Sequence, residues 1–164
     1  MEIWDAYDKD ENILGVDLIR GEEIPEGMYH LVCEVLVRHK DGSFLLMQRD
    51  WVKKDYPGYF EATAGGSALK GENAFDCIKR ELFEETGINE DDFKLINKLF
   101  THSSIFYSFF VETNATKDSI VLQKGETISY KWVNRDGFIE YINSDEAIPS
   151  QRDRLKKFLI NENC

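Results

Sequence analysis

Glu81, Glu84 and Glu85 fall at the spacing that places side chains on one face of an α-helix. Like charges so placed weaken an isolated helix by about 0.2–0.5 kcal/mol per pair. A chain shaped for stability alone would interleave lysines among them. A chain that must hold a divalent cation would not, because Mg²⁺ takes hard carboxylate oxygens on one side and keeps positions for phosphate oxygens on the other. The surrounding residues support a helix over 72–86. Phe75, Ile78 and Leu82 form an apolar stripe at i, i+3 and i+7, with Ala74 at its edge. Gly87 suits the left-handed position that ends a helix, and Ile88 the hydrophobic contact that accompanies it.

Around this helix the chain alternates between β and α signals. Ile3–Tyr7 and Ile13–Ile19 flank the turn-forming DKDEN and predict a hairpin. A loop with Gly21, Pro25 and Gly27 follows. Strands are expected over 30–37 and Phe44–Arg49, joined by Lys40-Asp41-Gly42. A short strand over 59–64 runs into Gly65-Gly66. After the helix, 93–101, 104–112 and Thr127–Val133 read as strands and 136–142 as a short helix. Pro149 opens a last helix over about 150–160, with Leu155, Phe158 and Leu159 on its apolar side. This order predicts an α/β fold, a mixed β-sheet in an α/β/α sandwich with an N-terminal hairpin extension over 1–27.

Composition limits the function classes. The 164 residues suit one domain, 1–164, and 42% hydrophobic residues can fill its core. A formal net charge of −11 disfavours binding a nucleic-acid polymer. A small phosphorylated ligand remains compatible if a metal supplies local positive charge. No apolar run approaches the ~20 residues of a membrane span, and the N-terminus reads as no signal peptide. Cys33, Cys77 and Cys164 are odd in number and widely spaced. They suggest a reduced cytoplasm and neither a disulfide framework nor a zinc site.

Residues 66–88 have the form Gly, five residues, Glu, seven residues, Arg-Glu-apolar-x-Glu-Glu-x-Gly-apolar. The fixed positions are Gly66, Glu72, Arg80, Glu81, Leu82, Glu84, Glu85, Gly87 and Ile88. This pattern resembles the signature of the Nudix family and fills every position of it. The resemblance implies a Nudix fold and Mg²⁺- or Mn²⁺-dependent cleavage of a diphosphate linked to another group. Its substrate would be a small diphosphate compound, and a homodimer is a common family habit. By the same resemblance the Gly66 carbonyl, Glu81, Glu84 and Glu85 match the metal-binding set. Glu81 matches a general base of some members, Glu72 an auxiliary acid, and Arg80 an ion-pair partner that orients carboxylates. Glu126, six residues before Trp132, matches an additional acid that the family often places in such a loop. Glu112 and Asp118 are its rivals.

The chemistry of the residues agrees. Divalent ions neutralise the oxygens of a diphosphate and acidify water, while a carboxylate removes the proton. Glu81, Glu84 and Glu126 are the catalytic candidates. On the substrate side Arg49 is the favoured phosphate contact, with Lys53, Lys54, Trp51, Tyr56 and Tyr59 beside it. His102, Phe106 and Tyr107 form a further group.

Residues 3–49 also resemble the front half of the isopentenyl-diphosphate isomerase-like branch of the family. Isomerases place a catalytic Cys after the strand that leads into the motif and hold a second metal with several His. Here that place reads Ala62-Thr63-Ala64-Gly65-Gly66, and only His30 matches an expected His. The alternative of isomerisation fails on these residues, and His30 reads as structural. The other alternative, a non-catalytic nucleotide-binding module, fits poorly with a motif that keeps every carboxylate.

Overall fold

The computed structural model describes residues 1–161, so Cys164 lies outside the described residues. Its central strand is β3, His30–His39, in which Leu31, Cys33, Val35, Leu36 and Val37 are all buried. Burial on both faces is what a strand flanked by helices requires, and it explains why the run is not alternately polar. Leu31, Cys33, Val35 and Val37 join one core, and Leu36 joins the other.

The remaining strands are β1 (Ile3–Tyr7), β2 (Ile13–Ile19), β4 (Phe44–Arg49), β5 (Phe60–Glu61), β6 (Ala64–Ser67), β7 (Lys94–Phe100), β8 (Ser104–Thr113) and β9 (Thr127–Val133). The helices are α1 (Ala74–Thr86), α2 (Arg135–Asn143) and α3 (Pro149–Asn161), with a 3₁₀ turn at Lys117–Ser119. β8 lies parallel to β3 from His30↔Ser104 to His39↔Thr113, and β7 pairs antiparallel outside it. On its other side β3 meets β4 at Arg38↔Phe44, and β9 lies against β4. The parallel pair needs a long crossover, and α1 lies within it. α1 packs on one face of this mixed sheet through Cys77, Ile78 and Leu82. α2 and α3 cover the other face through Phe138, Tyr141, Ile142, Leu155 and Phe158. This is the expected α/β/α arrangement. No helix among the described residues is long and apolar enough to cross a membrane.

Two local expectations are corrected. The strand read over 59–64 is two strands, because the chain changes partner midway. β5 pairs with β4, whereas β6 pairs with β3 and carries Gly65 and Gly66 inside the ladder. Thr63 bridges the change: its Oγ1 donates to the Leu45 carbonyl at 2.7 Å and accepts from Val37 N–H at 3.1 Å. On α1, Phe75 is 41% exposed and meets Phe93 edge-on. The buried line runs instead through Cys77, Ile78, Leu82 and Glu85. An apolar triplet fixes a helix period, but its phase belongs to the sheet that the helix meets.

The hairpin of β1 and β2 has its own small core of Trp4, Ala6 and Leu18, packed by Ile24 and Met28. It touches the central body beside β3 through an isolated bridge, Tyr7↔Tyr29.

Candidate active site

Asn73 caps α1, accepting at its side chain from Asp76 N–H at 2.9 Å. Gly87 ends the helix at φ 77°, with its N–H on the Phe83 carbonyl. Helix and β6 together form one wall of a cavity of about 390 Å³. Gly65, Gly66, Ser67, Arg80, Glu81, Glu84, Glu85 and Glu126 line it.

Gly66 is required by proximity. A Cβ there would lie 2.6 Å from Glu81 Cδ and closer still to Oε1. The absence of a side chain on β6 is what lets the Glu81 carboxylate rest against the strand.

Arg80 organises the acids as the sequence suggests. Its Nε and Nη2 donate to the two oxygens of Glu72 at 2.7 and 2.9 Å. Its Nη1 donates to Glu81 Oε1 at 2.8 Å and to Glu84 Oε2 at 3.2 Å. Nη2 also reaches the Ser67 carbonyl at 3.1 Å, tying α1 to β6. Glu72 therefore anchors Arg80 and does not line the cavity. Burial opposes the charge on Glu72, but the hydrogen bonds from Arg80 and from Leu69 N–H hold its carboxyl below the usual value.

Glu85 and Glu81 are pushed the other way. Glu85 is 4% exposed, and burial raises its pKa well above the ordinary carboxylate value. Neighbouring Glu61, Glu81 and Glu126 add to that rise. Burial also raises Glu81, with Arg80 opposing and Glu84 and Glu126 reinforcing. Among the described residues, Glu85 Oε2 is buried with no hydrogen-bond partner. A buried carboxylate oxygen without a donor is costly unless something positive meets it. Among the described residues no three His, Cys, Asp or Glu side chains converge as a ready-made cage. The carboxylates form a wall instead, which suits an ion that keeps several waters and takes oxygens from a substrate. On the orphaned Glu85 oxygen and the hard-oxygen donor set, Glu81, Glu84, Glu85 and the Gly66 carbonyl fit a divalent cation.

Of the three acids weighed beyond the helix, Glu126 is the one that lines this cavity, where it pairs with Lys53. Glu112 pairs with Arg38, and Asp118 belongs to the 3₁₀ turn. Arg49 sits elsewhere. Its guanidinium donates to the Asp55 carbonyl at 2.9 and 3.1 Å and pairs with Glu61 at 3.2 Å. It lines a neighbouring cavity of about 480 Å³ that shares Gly65, Gly66 and Ser67 with the first. Trp51 is 68% exposed, and Tyr56 and Tyr59 meet edge-on.

His102 is exposed. Tyr107 Oη bonds Glu11, and Phe106 lies under Arg154. His30 is buried, stacked on Trp4 at 4.1 Å between centroids and hydrogen-bonded through Nε2 to Ser104 Oγ at 2.9 Å. It is structural, as read. Cys33 and Cys77 are buried free thiols, and the neighbouring Cys77 thiol, aided by burial, pushes the Cys33 thiol up.

Sequence reasoning missed Glu2, Trp4, Arg20, Gln123 and Glu61. The first four line the carboxylate cavity, and Glu61 lies beside it. For Glu61 a signal exists, an acid inside a short strand that feeds the motif loop. The others come from distant segments and carry no local signature.

Known proteins resemble this chain in sequence and in fold. A family model of the NUDIX domain matches residues 28–158. A Listeria monocytogenes protein described as an uncharacterized Nudix hydrolase is 31% identical, over 91% of this chain and 89% of its own. An isopentenyl-diphosphate Δ-isomerase of Corynebacterium diphtheriae is 27% identical, over 70% of this chain and 69% of its own. Among solved structures, the DR0079 protein of Deinococcus radiodurans superposes with a TM-score of 0.77 at 17% identity. That superposition covers 95% of this chain and 98% of the other.

Proposed function

The chain belongs to the Nudix hydrolase family, and on that premise we propose a divalent-cation-dependent pyrophosphohydrolase. Its substrate is a nucleoside diphosphate derivative or a related small phosphorylated metabolite. The observation that carries the reading is the cavity in which Glu81, Glu84, Glu85 and Glu126 stand together beside Gly66, with one buried Glu85 oxygen unpartnered.

Glu81, Glu84, Glu85 and the Gly66 carbonyl would hold Mg²⁺ or Mn²⁺, which when bound neutralises phosphate oxygens and acidifies water. The chain's own residues do the rest. Where its Oε2 is not given to the cation, Glu81 is the general base: Arg80 fixes Oε1, and Oε2 accepts the proton of the attacking water. A carboxyl raised by burial holds that proton better than an exposed one would. Glu126 is the second candidate for this role, and Lys53 keeps it in place. The Glu72–Arg80 fork holds the helix carboxylates in one geometry through the reaction. Water attack at one phosphorus breaks the P–O–P bridge and gives two phosphorylated products.

The isomerase-like relative does not carry a second reading, because neither Cys nor His occupies Ala62-Thr63-Ala64-Gly65-Gly66. The test is a panel of nucleoside diphosphates and triphosphates, nucleotide sugars, dinucleotides and prenyl diphosphates, with products separated and identified. Two phosphorylated products from at least one member are expected. Proton exchange into a prenyl diphosphate without cleavage would overturn the reading.

A further inference from the structure

The family match begins at residue 28, yet Glu2, Trp4 and Arg20 of the preceding hairpin line the same cavity as Glu81, Glu84, Glu85 and Glu126. The hairpin is pinned to the body. Trp4 stacks on His30. Tyr7 and Tyr29 exchange backbone hydrogen bonds of 2.8 and 2.9 Å. In the loop that leads into α1, Lys70 N–H donates to the Ile3 carbonyl and Gly71 N–H to Asp5 Oδ2. Side chains at this end of the hairpin are therefore presented to the cavity from a fixed place.

Among the described residues, three cations line the cavity: Arg20, Lys53 and Arg80. Arg80 is committed to Glu72, Glu81 and Glu84, and Lys53 to Glu126. Moving either would strip a candidate functional carboxylate of its partner. Arg20 is different. Its side chain is 61% exposed, and one 2.9 Å contact joins it to Glu2. Glu2 keeps the indole hydrogen bond from Trp4 Nε1, 2.7 Å long, whether or not Arg20 stays. An exposed pair of this kind is weak, while a guanidinium meets a phosphate through two parallel charge-assisted hydrogen bonds. The exchange of Glu2 for a phosphate thus favours the substrate.

We infer that Arg20 is a substrate-binding residue, releasing Glu2 to clasp a phosphate of the diphosphate at the cavity mouth. Trp4 and Glu2 are positioning residues: the indole orients Glu2, and Glu2 parks the guanidinium over the cavity between turnovers. The inference rests on the hydrolase reading and adds the hairpin to its binding surface.

The test uses two uncleavable probes, methylenediphosphonate and α,β-methylene-ADP, titrated calorimetrically in excess Mg²⁺ against the full chain and its Arg20→Ala and Arg20→Lys variants. Arg20→Ala should weaken both probes about tenfold or more, and Arg20→Lys should recover part of that loss. With a cleavable substrate the Arg20→Ala loss should fall on KM more than on kcat, with the melting temperature unchanged because the residue is exposed. Wild-type affinity in Arg20→Ala would overturn the inference. Absence of turnover by the wild type counts against the hydrolase reading alone, since probe binding reports on Arg20 without it.

Discussion

Replacing Gly66 with Ala should separate activity from stability. Gly66 does not occupy the left-handed region, so its backbone accepts an alanine, and loss of glycine's freedom in the unfolded chain stabilises by about 0.4–1 kcal/mol. The new methyl would stand 2.6 Å from Glu81 Cδ, where carbon atoms in contact need ~3.5–4.0 Å. The carboxylate must therefore retreat by about 1 Å. It can, because it is the far end of a flexible side chain, at the cost of its ion pair with Arg80. That pair is largely sheltered, but Arg80 keeps Glu72, so the loss is of the same ~1 kcal/mol order as the gain. Stability should stay within about 1 kcal/mol of wild type, a melting shift of only ~2–4 °C. Activity should not, since a catalytic group misplaced by about 1 Å costs roughly 100-fold. The assay pairs thermal unfolding with kcat/KM on the best substrate of the diphosphate panel. Glu81→Gln and the double variant complete a cycle in which the two losses should not add. Gly65→Ala is the contrast. Its Cβ would meet the Cys33 carbonyl oxygen at 2.5 Å and Glu34 Cα at 2.9 Å, backbone that cannot step aside. That variant should lose several kcal/mol of stability, in the range of severe overpacking. Wild-type kcat/KM in a folded Gly66→Ala would refute the reasoning, because Glu81 would then not need its place against β6.

Two further outcomes follow from buried charges. His30 has its pKa lowered from 6.5 to about 4, chiefly by burial. Below pH 6.5 the unfolded chain takes up a proton that the folded chain refuses, so stability should fall between pH 6.5 and 4 and level off beneath. Discounted for residual solvent screening, the loss is about 2 kcal/mol; urea midpoints across that range should slope less in His30→Gln than in wild type. Glu34, buried in β3, takes the fork of Arg154 from α3 at 2.6 and 2.9 Å, the Ser108 hydroxyl at 2.6 Å and the Gln151 amide N–H at 3.3 Å. Arg154→Met would strand that carboxylate and should cost about 3 kcal/mol in urea unfolding. A loss below 1 kcal/mol would show that Ser108 and Gln151 suffice.

Residue patterns disclosed the parts of this molecule that are local. The edges Ile3–Tyr7, Ile13–Ile19, Phe44–Arg49 and Thr127–Val133 coincide with the observed strands because turn residues and β-rich runs bound them. The motif helix was readable because Gly87 and the carboxylate spacing both act within a few residues. What was hidden depends on distant partners. The split of 59–64 follows from a choice between β3 and β4. The exposure of Phe75 follows from where the sheet meets α1. The pairing of Arg49 with Glu61 depends on the strand break, which no neighbour in sequence signals. The entry of Trp4 and Arg20 into the cavity needs a hairpin placed beside residues some sixty positions later, and no short window records that.

The acidic face of α1 is proposed as a cation platform for cleaving a diphosphate, and Glu85 is its most buried member. The direct test is the rate of diphosphate cleavage across a Mg²⁺ titration, in wild type and in Glu85→Gln. The account predicts no cleavage in chelator, saturation as Mg²⁺ rises, and a loss of about 100-fold or more in folded Glu85→Gln. Equal rates in the two proteins, or cleavage indifferent to Mg²⁺, would contradict it.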